Sequence, residues 1–100
     1  MKYNKLVRNK IPEYIKSKNG NPIIHIATDD EYWQKLREKL TEEMSEFLEA
    51  ESIEEMADIL EVIDAICNFK KFGKEKLQEV KNRKADECGR FNDKIILDES

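Results

Sequence analysis

From Leu40 to Phe69 the chain carries ten carboxylates and no lysine or arginine, interleaved with apolar residues at helical spacing. This segment constrains the fold more than any other. Ile53, Met56, Ala57, Leu60, Ile63 and Cys67 fall on one face of a helix, and Ile59, Val62, Ile66 and Phe69 fall on another. A helix apolar on two sides is normally buried within a bundle. Glu55, Asp58, Glu61 and Asp64 recur every third residue among those apolar positions, so at least part of this charge is interior. Interior charge is costly unless something compensates it. With no base in the segment to pair with, several converging carboxylates suit a hard divalent cation such as Mg²⁺.

The flanking sequence completes a small, mainly α architecture. Pro12 fits the first turn of a short helix running to about Lys18, with Ile11, Tyr14 and Ile15 inward. The run Asn19-Gly20-Asn21-Pro22 is a turn, and the β-branched stretch Pro22 to Ala27 reads as a short strand. A second helix, capped by Asp29 or Asp30, extends to about Ala50 with Trp33, Leu36, Leu40, Met44, Phe47 and Leu48 in one apolar stripe. The third helix begins at Ser52 and continues to about Phe72, where Gly73 ends it. Lys74 to Cys88 form a fourth helix stopped by Gly89, and Lys94 to Leu97 form a strand able to pair with Pro22 to Ala27. The expected fold is therefore a helical hairpin within a four-helix-type bundle, completed by association of copies, with a two-stranded β appendage.

A chain of 100 residues makes one domain, spanning residues 1–100, and its 40% charged and 39% apolar residues suit a folded helical protein. A net charge of −4 gives no general reason to bind a nucleic acid polymer or an anionic membrane. Lys2, Lys5, Arg8 and Lys10 crowd the opening without an apolar signal core, and no run reaches transmembrane length. Cys67 and Cys88 lack CxxC spacing and read as reduced thiols. A cytoplasmic location is the expectation. The three glycines occur singly, which argues against a P-loop.

Glu43 and Glu46 lie on one margin of the second helix's apolar stripe, and Glu55 and Asp58 are likewise three apart on the next helix. The short link through Glu51 and Ser52 favours an antiparallel hairpin that brings the two pairs together. Four carboxylates could then hold one or two Mg²⁺ ions, with Mn²⁺ as a substitute. Bland readings stand beside this one. Glu43 and Glu46 also fit an ordinary solvated helix face. Ser52-x-x-Glu55 matches a capping box, typically worth about 1 kcal/mol. Glu61 and Asp64 serve equally as extra ligands or as partners for bases from another helix. Lys5, Arg8, Lys10, Lys81, Arg83, Lys84 and Arg90 are candidate phosphate contacts, each also suited to plain solvation. His25 in a strand is more often structural than catalytic, and Trp33 belongs to the core stripe.

The order EExxE at Glu42, Glu43 and Glu46, then ExxD at Glu55 and Asp58, resembles the MazG-like all-α nucleoside triphosphate pyrophosphohydrolases. That superfamily includes phosphoribosyl-ATP pyrophosphohydrolase. The opening KLVRNKIP and closing CGRFNDKIIL resemble its small single-domain, phosphoribosyl-ATP pyrophosphohydrolase-like branch, so the likeness covers nearly the whole chain. The resemblance implies Mg²⁺-dependent attack of water at the α–β phosphoanhydride of a nucleoside triphosphate, giving the monophosphate and pyrophosphate. It makes Glu43, Glu46, Glu55 and Asp58 the metal ligands. Glu42 or Glu43 would orient the attacking water, and Glu61 and Asp64 would replace Glu55 and Asp58 if the helices register differently. It also implies a homodimer or homotetramer built through the hairpin. Hydrolysis of phosphoribosyl-ATP and a noncatalytic acidic binding module are the alternatives.

Overall fold

Thr28, not either of the aspartates after it, opens the longest helix. Its backbone is extended and its Oγ1 accepts from the Glu31 N–H at 3.3 Å, leaving Asp29, Asp30 and Glu31 in the first turn, where negative charge complements the helix dipole. The computed structural model describes residues 3–100, so Lys2 of the basic opening lies outside the described residues. Four helices follow in order: α1 (Ile11–Ser17), α2 (Asp29–Ala50), α3 (Ile53–Lys70) and α4 (Lys74–Cys88). Pro12 sits in the first turn of α1 as its missing N–H requires. Beyond α1 the chain turns so tightly that a Cβ on Gly20 would meet Ile15 Cγ2 at 2.5 Å and the Ile15 carbonyl oxygen at 3.1 Å.

The hairpin of α2 and α3 is the centre of the molecule, and no other pair of helices has a comparable contact. Glu51 takes the left-handed conformation (φ 51°) and returns its N–H to the Phe47 carbonyl at 2.7 Å, ending α2. Ser52 then caps α3, its Oγ accepting from the Glu55 N–H at 3.3 Å. One face of α3 meets the α2 stripe, where Leu36 has no exposed surface and Val62 is buried. Away from the connection, aromatic rings hold the hairpin closed. Trp33 stacks on Phe69 at 6.0 Å, Tyr32 meets Phe69 edge-on at 5.3 Å, and Lys70 Nζ lies 4.0 Å from the Trp33 ring centre. The other face of α3 is open, with Ile53 80% exposed and Leu60 and Met56 also at the surface.

Four sequence expectations are corrected, beginning with the inward face of α1: no residue of that helix is buried, and Tyr14 is 60% and Ile15 36% exposed. No strand occurs among the described residues; Pro22 to Ala27 and Lys94 to Leu97 lie without ladder partners, with Ile23, Ile24, Ile26, Ile95, Ile96 and Leu97 exposed. β-branched residues favour a pleated, half-buried surface, and an isolated pair of strands is at best marginal without one. The α2 cap is Thr28. The end of α3 falls at Lys71, which adopts φ 61° while the Phe72 N–H reaches back to the Cys67 carbonyl at 2.9 Å; Gly73 instead precedes α4 as its N-cap. Gly89 ends α4 at φ 85°, a conformation that suits glycine. Cys67 and Cys88 are both free. Among the described residues, no helix is long and apolar enough to cross a membrane.

Candidate metal centre

The two-residue connection sets which carboxylates can meet. Glu42, Glu43 and Glu46 occupy the second half of α2, and Glu55 and Asp58 the opening turns of α3, so the antiparallel hairpin folds one group onto the other. Two clusters result, each with carboxylate oxygens mutually within 4.8 Å: Glu42, Glu43 and Glu46, and Glu43, Glu55 and Asp58. Glu43 belongs to both. It is also the buried acid of the hairpin, only 6% exposed.

Oxygen partners distinguish these acids from a solvated surface. Glu43 Oε2 and Glu55 Oε2 are buried with no hydrogen-bond partner, a costly condition for carboxylate oxygens. A divalent cation bound by oxygen ligands would satisfy both. Glu55 also resolves its competing role as a capping residue. Its backbone N–H completes the Ser52 cap while its side chain is left facing Glu43 and Asp58. Burial, followed by the neighbouring carboxylates of Glu46, Asp58 and Glu43, pushes the Glu55 carboxyl above its ordinary value.

The acidic segment is nevertheless not without bases. Lys39, just outside it, reaches Glu43 Oε1 at 3.4 Å and Glu42 Oε2 at 3.7 Å. Lys5 Nζ donates to Glu42 Oε1 at 2.8 Å. That hydrogen bond is the main reason the Glu42 carboxyl lies below its ordinary value and the Lys5 ammonium above its own. Arg8 Nη2 donates to Asp58 Oδ1 at 2.7 Å and its Nη1 lies 3.9 Å from Glu61 Oε1. Between the N-terminal arm and α2 lies a cavity of about 340 Å³, whose wall includes Lys5, Lys35, Lys39 and Glu42.

The hairpin thus brings together Glu42, Glu43, Glu46, Glu55 and Asp58, with Lys5 and Arg8 beside them. Glu61 is exposed and touches the group only through Arg8, and Asp64 joins neither cluster. Lys10, Lys81, Arg83, Lys84 and Arg90 are exposed, and none pairs with these acids among the described residues. Lys39 was the residue missed. Its spacing of three and four from Glu42 and Glu43 was the available signal, because such neighbours share a helix face. His25 bonds Glu31 through Nε2 at 2.9 Å and stands apart from the cluster.

The chain is 45% identical over 47 residues to an uncharacterized protein of Mycolicibacterium smegmatis (strain ATCC 700084 / mc(2)155). The match covers 47% of this chain and 48% of that protein, so the chain spans about half the length of the relative it matches. No family model and no solved structure matches.

Proposed function

We propose that the chain is a Mg²⁺-dependent nucleoside triphosphate pyrophosphohydrolase that cleaves the α–β phosphoanhydride to a nucleoside monophosphate and pyrophosphate. One observation carries the reading: Glu43, shared by two converging carboxylate clusters, and Glu55 each keep a buried oxygen without a partner. Glu43, Glu46, Glu55 and Asp58 would hold the ion or ions, and Mn²⁺ would serve in place of Mg²⁺. Bound there, the cation would supply charge neutralisation at the phosphates and a more acidic water. Glu42, hydrogen-bonded by Lys5 and bordering the cavity, would orient that water together with Glu43. Lys5 and Arg8 stand close enough to the acids to contact phosphate oxygens, arginine through its planar fork.

The order of the motifs, EExxE then ExxD, supports the same reaction through the MazG-like resemblance. That likeness also keeps phosphoribosyl-ATP among the substrates to be tested. The open face of α3 and the exposed Leu48 of α2 favour a homodimer or homotetramer; a cytoplasmic location is part of the same proposal. Pyrophosphate release from a panel of canonical and modified nucleoside triphosphates and phosphoribosyl-ATP, with and without Mg²⁺, tests the proposal. Release should require the ion, and Asp58→Asn should lower it by at least about 100-fold, as expected for a ligand rather than an outer partner. Absence of release from every substrate by the folded, Mg²⁺-loaded protein would reject it in favour of a binding module.

A further inference from the structure

Asp58 is counted among the clustered carboxylates, yet its Oδ1 is held by Arg8 at 2.7 Å. Arg8 belongs to an arm, residues 3–10, that precedes α1 and contains no helix or strand. Polar contacts tie that arm to the hairpin: Lys5 to Glu42 at 2.8 Å, Arg8 to Asp58, and Lys35 Nζ to the Asn4 carbonyl at 2.8 Å. The Arg8 side chain is more than half exposed, so its contact with Asp58 is made in high dielectric and is weak. A divalent ion at Glu43, Glu55 and Asp58 would compete with Arg8 for the Asp58 carboxylate and repel the guanidinium. An anion set between the two cations would remove that repulsion, and phosphate matches the fork of an arginine.

We infer that Arg8, assisted by Lys5, is an exchangeable counter-cation: it neutralises Asp58 when no divalent ion is bound and transfers to substrate phosphate when one enters. The inference rests on the metal-centre reading and adds a positioning role for the arm. Metal binding and arm release are then one linked equilibrium. Polyphosphate that captures the arm raises metal affinity, and the metal raises polyphosphate affinity by the same factor.

Calorimetric titration of Mg²⁺ into the wild-type chain and Arg8→Gln, combined with ¹⁵N NMR of the Arg8 guanidinium, tests this directly. Arg8→Gln should bind Mg²⁺ about two- to five-fold more tightly, the scale of an exposed ion pair. Added to the Mg²⁺-saturated proteins, inorganic tripolyphosphate should bind the variant about tenfold more weakly, reflecting one charge-assisted hydrogen-bonding partner. In the wild type, Mg²⁺ should move the Arg8 signal toward that of free arginine, and tripolyphosphate should shift it away again. Arg8→Lys should still compete with Mg²⁺ but hold tripolyphosphate less well than arginine. Equal, measurable Mg²⁺ affinity in wild type and Arg8→Gln, or an Arg8 signal indifferent to Mg²⁺, would overturn the exchange and leave the metal centre intact. Failure of both proteins to bind Mg²⁺ would overturn the metal centre and this inference together.

Discussion

Glu55 and Glu42 face opposite electrostatic conditions although both belong to the acid group, and the protein's stability should record both. The Glu55 carboxyl is raised above 4.5, first by burial and then by Glu46, Asp58 and Glu43. The native chain therefore holds its proton more tightly than the unfolded chain. Stability from this group falls as pH rises from 4.5 through the raised native value. Glu42 is lowered from 4.5, first by its hydrogen bond from Lys5. Its contribution is present above 4.5 and is lost as pH falls through the lowered native value. Glu55→Gln, which removes a charge held at a cost, should raise the melting temperature at pH 7 without Mg²⁺ and flatten the decline above pH 4.5. The same variant should lose the Mg²⁺-dependent rise in melting temperature expected of the wild type. A thermal scan across pH, with and without Mg²⁺, reads both effects; a lower melting temperature for Glu55→Gln without Mg²⁺ would count against the cost assigned to this carboxylate.

At the scale of elements, the signals that worked were periodic and those that failed depended on partners. The 3.6-residue pattern located α2 and α3, Pro12 and Gly89 marked the start of α1 and the end of α4, and Ser52 opens α3 because a hydroxyl before an apolar run satisfies an orphan N–H. Ser52→Ala should therefore cost about 1 kcal/mol in denaturant unfolding, while the Glu55 carboxylate, which does not take part in that cap, keeps its place. Glu43, Glu46, Glu55 and Asp58 were legible as two pairs because helix spacing and a short connection determine proximity. Lys39 lies one residue outside the acidic segment, so its pairing with Glu42 and Glu43 is not contained in that segment's own pattern. The strands at Pro22 to Ala27 and Lys94 to Leu97 failed because composition records a preference for a sheet, not the presence of a neighbour to pair with. Thr28 took the cap from Asp29 and Asp30 because all three side chains are competent, and chain geometry chose among them.

For the whole molecule, size and shape are at odds. Its radius of gyration is 17.9 Å and it measures 57 × 31 × 23 Å, whereas a closed domain of this length has a radius of about 13 Å. Leu48 is 76% exposed on α2 and Ile53 80% exposed on α3, both beside the connection of the hairpin. Self-association over this surface should appear in sedimentation as a dimer or tetramer, and Leu48→Glu with Ile53→Glu should shift it to monomer. A wild-type chain that sediments as a monomer at every concentration would contradict the oligomer proposed above.

The two-residue connection between α2 and α3 also has a kinetic consequence. All five clustered carboxylates fall between residues 42 and 58, so they meet as soon as one short loop closes. Contacts so near in sequence form early, before the distant termini are organised. A cation that binds these acids would thus act on the folding transition state as well as on the native state. In stopped-flow refolding, Mg²⁺ should accelerate the folding arm of the chevron, rather than only slowing the unfolding arm. The residues proposed to break a phosphoanhydride would then also help to nucleate the chain that carries them.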